Sequence, residues 1–143
     1  MEREEDMKKY INHATVYAVL ALIGGVFYRE FTKFNGFTGD TTLSVVHVHY
    51  LVPGMMFFIL LMLIEKSFGF VGKKTGKILT AYECGLNLTV IMFLVRGIVQ
   101  VLESPLNKGM NAAISGIAGI GHIILGVSLV LVLLEIRKSI ADR

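Results

Sequence analysis

Four histidines are spread over this sequence, and three of them sit where an imidazole needs a reason. His47 and His49 interrupt an apolar run from Leu43 to Ile64, in Ser44-Val45-Val46-His47-Val48-His49-Tyr50-Leu51-Val52-Pro53-Gly54. His122 interrupts another, in Ser115-Gly116-Ile117-Ala118-Gly119-Ile120-Gly121-His122-Ile123-Ile124-Leu125-Gly126. Ionisable groups inside apolar runs of that length are costly in lipid and mark function. A spacing of two points His47 and His49 to opposite sides of a helix, which argues against a compact zinc or copper site on that helix alone. His122 has Ala118, Gly119 and Gly126 at −4, −3 and +4. A flat macrocycle approaches a helix only where side chains are missing, so this pattern suits axial ligation of a haem by His122. Small-residue spacings such as Ser115/Gly119 and Ala112/Gly116 equally serve ordinary helix packing.

The elements that must position these groups follow from composition. Of 143 residues, 54% are hydrophobic, there is no tryptophan, and mean hydropathy is +0.66. A soluble domain of this length cannot bury so much apolar surface, so the expected fold is an all-α integral membrane four-helix bundle in one domain. Its spans are expected at residues 10–31, 43–64, 78–102 and 110–134, with residues 1–9 as a charged tail or helical extension. The connections are a turn-rich loop at 32–42 with Asp40 or Thr41 as N-cap, a basic loop at 65–77, and a tight turn at 103–109 around Pro105. Arg3, Lys8, Lys9, Lys66, Lys73, Lys74, Lys77, Arg137, Lys138 and Arg143 lie on one side, against Arg29, Lys33 and Lys108 on the other. That asymmetry predicts an up-down bundle in the bacterial cytoplasmic membrane with both termini inside. The net charge of +3 is thereby explained by topology, with no nucleic-acid partner expected. The polar, acidic N-terminus gives no expectation of a cleavable signal peptide. Cys84 has no cysteine to pair with, and the lack of Cys-x-x-Cys-His excludes covalent haem attachment.

Counting about 1.5 Å per residue puts His47 and His49 roughly 6–10 Å below the outer surface and His122 about 15–18 Å below it. His49 and His122 are therefore matched in depth, within boundary errors. His13 belongs near the opposite surface and is expected to be interfacial. Val45-Val46-His47-Val48-His49-Tyr50 with Gly54 resembles the His-x-His-Tyr helix of haem–copper oxidase catalytic subunits. That resemblance implies a low-spin b-type haem between His49 and His122, with His47 facing a second haem position. It covers about a dozen residues. Four spans stand in place of some twelve, and nothing matches the copper-ligand histidines or the cross-linked tyrosine, so oxygen reduction is not implied. The whole chain resembles a family of small bacterial four-span membrane proteins of unknown function.

Arg96, inside the third span, shares a face with Gln100 and Glu103. It is expected either to form a salt bridge with Glu103, Glu30 or Asp40 or to clamp haem propionates, since its fork suits carboxylates; Arg29 and Lys33 are weaker propionate candidates. Glu83 and Asn87, spaced by four, begin a proton path or make packing hydrogen bonds to Tyr17 or His13. Pro53 deprives the His49 carbonyl of its helical partner and predicts a bend just below the histidines. Met55, Met56 and Met62 show no metal-track spacing.

The expected function is non-covalent binding of haem b, one or two groups, with electron transfer or a gas-linked redox role favoured over a complete oxidase. Expected partners are the haem, the lipid bilayer, a redox partner, and a second copy through the small-residue faces of a homodimer. Three alternatives stay open: a His/Arg-dependent transporter, an accessory protein whose histidines are merely hydrogen-bonded, and a transition-metal site joining His47 or His49 to His122.

Overall fold

The structure, a computed structural model, describes residues 2–141; Arg143, counted above in the charge asymmetry, lies outside them. Four helices, Arg3–Phe34 within the longer Glu2–Phe34, Thr42–Phe68, Thr75–Val101 and Lys108–Ala141, are each long and apolar enough to cross a membrane. The chain is thus all-α and of the multi-pass membrane type. The helices outrun the expected spans. Residues 2–9 extend the first helix, and the basic loop at 65–77 shrinks to 69–74, because the second helix continues through Glu65 to Phe68 and the third starts at Thr75.

Glu65 explains the first of these differences. It is buried at 3% exposure, accepts a hydrogen bond from the Val71 amide at 3.0 Å and pairs with Arg3 Nε at 3.5 Å. Gly69 ends the second helix in the left-handed conformation (φ 64°), and the Arg3 guanidinium fills the space a side chain there would need. The charged N-terminal residues are therefore a clamp on this turn, which keeps them helical.

The second helix is built in pieces. Thr41 is its N-cap, its hydroxyl accepting from the Leu43 amide at 3.3 Å, so the choice between Asp40 and Thr41 falls to Thr41. A 3-10 turn (Thr42–Val45) and one α-turn (Val46–His49) lead into a π-helical stretch, Tyr50–Met56, with Pro53 inside it. A wider turn is a usual way to absorb a proline that cannot donate. The expected irregularity below His49 is present in this form, and the Pro53 carbonyl accepts a hydrogen bond from the Tyr82 hydroxyl at 2.8 Å.

The first helix packs along the second, the third lies against the N-terminal half of the second, and the fourth lies along the third. Tyr10, Tyr17, Tyr50, Phe58, Leu61, Tyr82 and Leu86 form the centre of the core. The fourth helix is the least buried of the four, and its contact with the third is a glycine crossing. A Cβ on Gly85 would stand 2.5 Å from the Leu125 backbone nitrogen, and one on Gly121 would stand 2.7 Å from Thr89 Oγ1 and 2.9 Å from the Thr89 backbone nitrogen. Close backbone approach through small residues is how helices associate in lipid. The glycines singled out from sequence do not do this: Gly116, Gly119 and Gly126 all face open space.

Gly85→Ala and Gly121→Ala are each expected to cost about 1–3 kcal/mol, the range for overpacking a filled contact. Gly126→Ala should leave stability unchanged. Thermal unfolding of the three variants in detergent, followed by circular dichroism, checks this; equal melting for all three would contradict the crossing.

Candidate functional site: a histidine pair beside Phe93

The register of the second helix on the third is fixed by four hydrogen bonds at its start. Thr41 Oγ1 donates to the Gly97 carbonyl (3.1 Å) and Thr42 Oγ1 to the Phe93 carbonyl (2.8 Å). The Thr42 amide (2.9 Å) and its hydroxyl (3.4 Å) both reach Gln100 Oε1. Gly97 permits the approach, since a Cβ there would meet the Leu43 backbone nitrogen at 2.7 Å. Two turns further along, His49 lands against Phe93, ring centroids 4.8 Å apart. Nothing in the sequence reading singled out Thr42, Gly97 or Phe93. Paired Thr41-Thr42 at the head of an apolar run was the available signal, as hydroxyls there must find partners on a neighbouring helix.

The fourth helix brings His122 to the same place. Its ring lies 6.3 Å from that of His49 and 5.6 Å from that of Phe93, the two imidazoles at 83° to each other. Both are half-anchored in the same way. His49 Nδ1 donates to the Val45 carbonyl and His122 Nδ1 to the Ala118 carbonyl, each at 2.9 Å and each four residues back in its own helix. A carbonyl can only accept, so Nδ1 carries the hydrogen and a neutral ring presents Nε2 with its lone pair free. That is the tautomer a metal ligand needs, and backbone anchoring of the other nitrogen is its usual support.

The fit to a ligand can be tested on these distances. A metal-bound imidazole nitrogen stands about 2.0–2.1 Å from its ion, so two rings opposed across one ion have centroids about 6 Å apart. The observed 6.3 Å agrees. Gly119 and Gly126, beside His122 on the fourth helix, have open space where a side chain would stand. Phe93 disagrees. The three separations put its ring about 4 Å from the midpoint between the imidazoles, the radius at which a porphyrin's pyrrole rings lie. A bare ion fits the site as it stands; a macrocycle requires Phe93 to turn aside.

His47 is not part of this pair. It lies against the first helix, where a Cβ on Gly25 would be 3.7 Å from the His47 Cβ, and its Nδ1 is buried without a hydrogen-bond partner. Among the described residues no three of His, Cys, Asp and Glu are grouped as for a metal ion. Hence three histidines do not converge on one centre. His13 pairs with Glu83 instead.

Arg96 corrects an expectation. Glu103, Glu30 and Asp40 are not its partners; it reaches the fourth helix, donating to Asn111 Oδ1 (3.0 Å), the Asn111 carbonyl (3.4 Å) and Ser115 Oγ (2.8 Å). Gln100 on its face serves Thr42. All three Arg96 acceptors are neutral, and among the described residues no carboxylate pairs with its guanidinium. Arg96→Ala should loosen the start of the fourth helix, seen as faster amide exchange over residues 108–115 while residues 128–136 are unaffected. Unchanged exchange would mean that the three hydrogen bonds do not hold the helix.

No curated protein and no solved structure matches this chain. A family model, described as a protein of unknown function (DUF2871), matches residues 7–139. That match takes in all four helices and both members of the histidine pair, and the chain belongs to this family.

Proposed function

We propose that this is a membrane haem b protein, with His49 and His122 as the two residues that would hold the haem iron. The observation that carries the reading is the matched pair of imidazoles, 6.3 Å apart, each with Nδ1–H tied to its own helix and Nε2 free. The open glycines Gly119 and Gly126 would leave room for a macrocycle beside His122, and Phe93 would have to turn aside for it. Arg96, whose charge meets no carboxylate among the described residues, takes a propionate. With both axial positions filled by protein, the bound haem would supply one-electron chemistry, so electron transfer is the activity favoured. The likeness to the His-x-His-Tyr helix of haem–copper oxidases agrees with this ligand choice. Because the first helix closes on His47, one haem per chain is proposed. The bundle runs up and down with both termini in the cytoplasm of a bacterial cell, in line with ten basic residues against three. The exposed Ala112/Gly116 spacing, away from the haem face, leaves a surface for a second copy.

Phe93 favours a second reading. Two imidazoles and an aromatic face around a space the size of one ion suit a bare transition-metal cation such as copper.

The visible spectrum of the purified chain, with pyridine haemochrome and elemental metal analysis, separates the two. The expected result is a low-spin haem b spectrum, abolished by His49→Ala and by His122→Ala and retained in His47→Ala. Phe93→Ala should preserve or speed haem uptake; under the copper reading it should weaken metal retention. A colourless protein that takes up no added haemin would overturn the haem reading. Reporter fusions at each end test the orientation, a periplasmic signal from either terminus being the contrary result.

A further inference from the structure

A second polar cluster, on other faces of the first three helices, has no part in the histidine pair. Glu83 Oε1 meets His13 Nδ1 at 2.5 Å and accepts from the Tyr17 hydroxyl at 3.2 Å. The Tyr17 oxygen accepts from Asn87 Nδ2 at 3.1 Å, and Asn87 Oδ1 accepts from the Tyr50 hydroxyl at 3.2 Å. Asn87 Nδ2 also donates to the Glu83 carbonyl at 2.8 Å. Glu83 and Asn87 come from the third helix, His13 and Tyr17 from the first, and Tyr50 from the second.

Two cavities flank the cluster. One, of about 400 Å³, is lined by Asn12, His13, Tyr17, Glu83 and Asn87 with Val16 and Leu20. The other, of about 220 Å³, connects His13 and Glu83 to Asp6 and Lys9 in the charged first turns of the chain. The groups facing His13 and Glu83 are Asp6, Lys9, Tyr10 and Tyr17 from the first helix, the Phe58 ring from the second, and Asn87 from the third; Tyr50 meets Asn87, and Tyr82 meets the Phe58 ring. Lys9 is itself engaged by Asp6 at 3.2 Å. The fourth helix contributes no residue to either cavity.

No lysine or arginine compensates Glu83 among the described ion pairs. The Glu83 side chain is 24% exposed and that of His13 43%; an ionised carboxylate so placed loses most of its hydration, and a charged imidazolium beside it offsets only part of that cost. A proton removes it altogether. We propose that the His13–Glu83 pair is a proton-binding site loaded from the end of the bundle that carries Asp6 and Lys9, and that Asn87 closes it off from the rest of the membrane. The proton arrives on His13 Nε2, and the hydrogen on Nδ1 passes to Glu83 Oε1. The imidazole ends neutral as its other tautomer, the carboxylate ends as the acid, and the pair goes from one negative charge to none. Onward transfer stops at Asn87, whose amide donates to Tyr17 and accepts from Tyr50 without being able to exchange one hydrogen for another. What reaches Tyr50, next to His49 in the second helix, is therefore a change of hydrogen-bond strength and not a proton.

Infrared titration of the full chain in lipid tests this independently of any cofactor. Among the protonated-carboxyl bands that grow on acidification, one should shift promptly in D2O, vanish in Glu83→Gln and move in frequency in Tyr17→Phe. A titrating spectrum identical in wild type and Glu83→Gln would overturn the site, as would a band that D2O does not reach. If Glu83→Gln does not fold, the Tyr17→Phe shift decides: a band unmoved by that change is not Glu83. Vesicles with a trapped pH dye should show no proton flux, and a flux that depends on Glu83 would overturn the closure at Asn87.

Discussion

The backbone crossing at Gly85 and Gly121 is the contact on which the histidine pair depends. The fourth helix has almost no other neighbour, since its packing is chiefly against the third and only lightly against the second. Water gives no hydrophobic drive for helix association inside lipid, so the interaction has to come from van der Waals contact at close range, and two glycines make that range available. His122 follows Gly121 directly and inherits its depth and direction from it. Beyond the crossing, Ser128 and Val132 are the buried residues of that helix, and most of the others face outward.

The other half of the pair is placed by hydrogen bonds. Thr41, Thr42 and Gln100 tie the head of the second helix to the third, and a slip of one residue would leave those groups unsatisfied where water cannot help. Contact-driven and bond-driven placement thus converge on Phe93, which touches both rings. The third helix also carries Glu83 and Asn87, nearer its N-terminal end. The second and third helices each take part in both polar clusters, the second through His49 and Tyr50, while the first helix enters one and the fourth the other.

Much of this was legible in the sequence. Length and hydropathy yield the four helices because lipid leaves so few solutions, and depth counting pairs His49 with His122 while separating His13. What the sequence hid is which small residue makes a contact. Gly119 and Gly121 lie two apart in the same apolar helix, so they face opposite ways, and no local signal says which side meets a neighbour. Arg96 was hard to assign for a similar reason. Its acceptors Asn111 and Ser115 sit on the next helix and are neutral, whereas charge complementarity favoured Glu103, Glu30 or Asp40. The helical extension at residues 2–9 needed the Arg3–Glu65 contact, which joins positions 62 residues apart in the chain.

The π-helical stretch from Tyr50 to Met56 divides the second helix into two blades on one shaft. A widened turn holds one residue more than an α-turn would, so side chains before and after it are out of phase by about 100°, the angular step of one helical residue. His47 and His49 lie before that offset, and Phe58 and Leu61 after it. The aromatic core can thus keep its packing while the histidine-bearing blade is aimed separately, and one inserted residue is enough to have produced that freedom. Removing one residue between 51 and 56 would re-phase the blades, so that His49 on Phe93 and Phe58 in the aromatic core could no longer both keep their places.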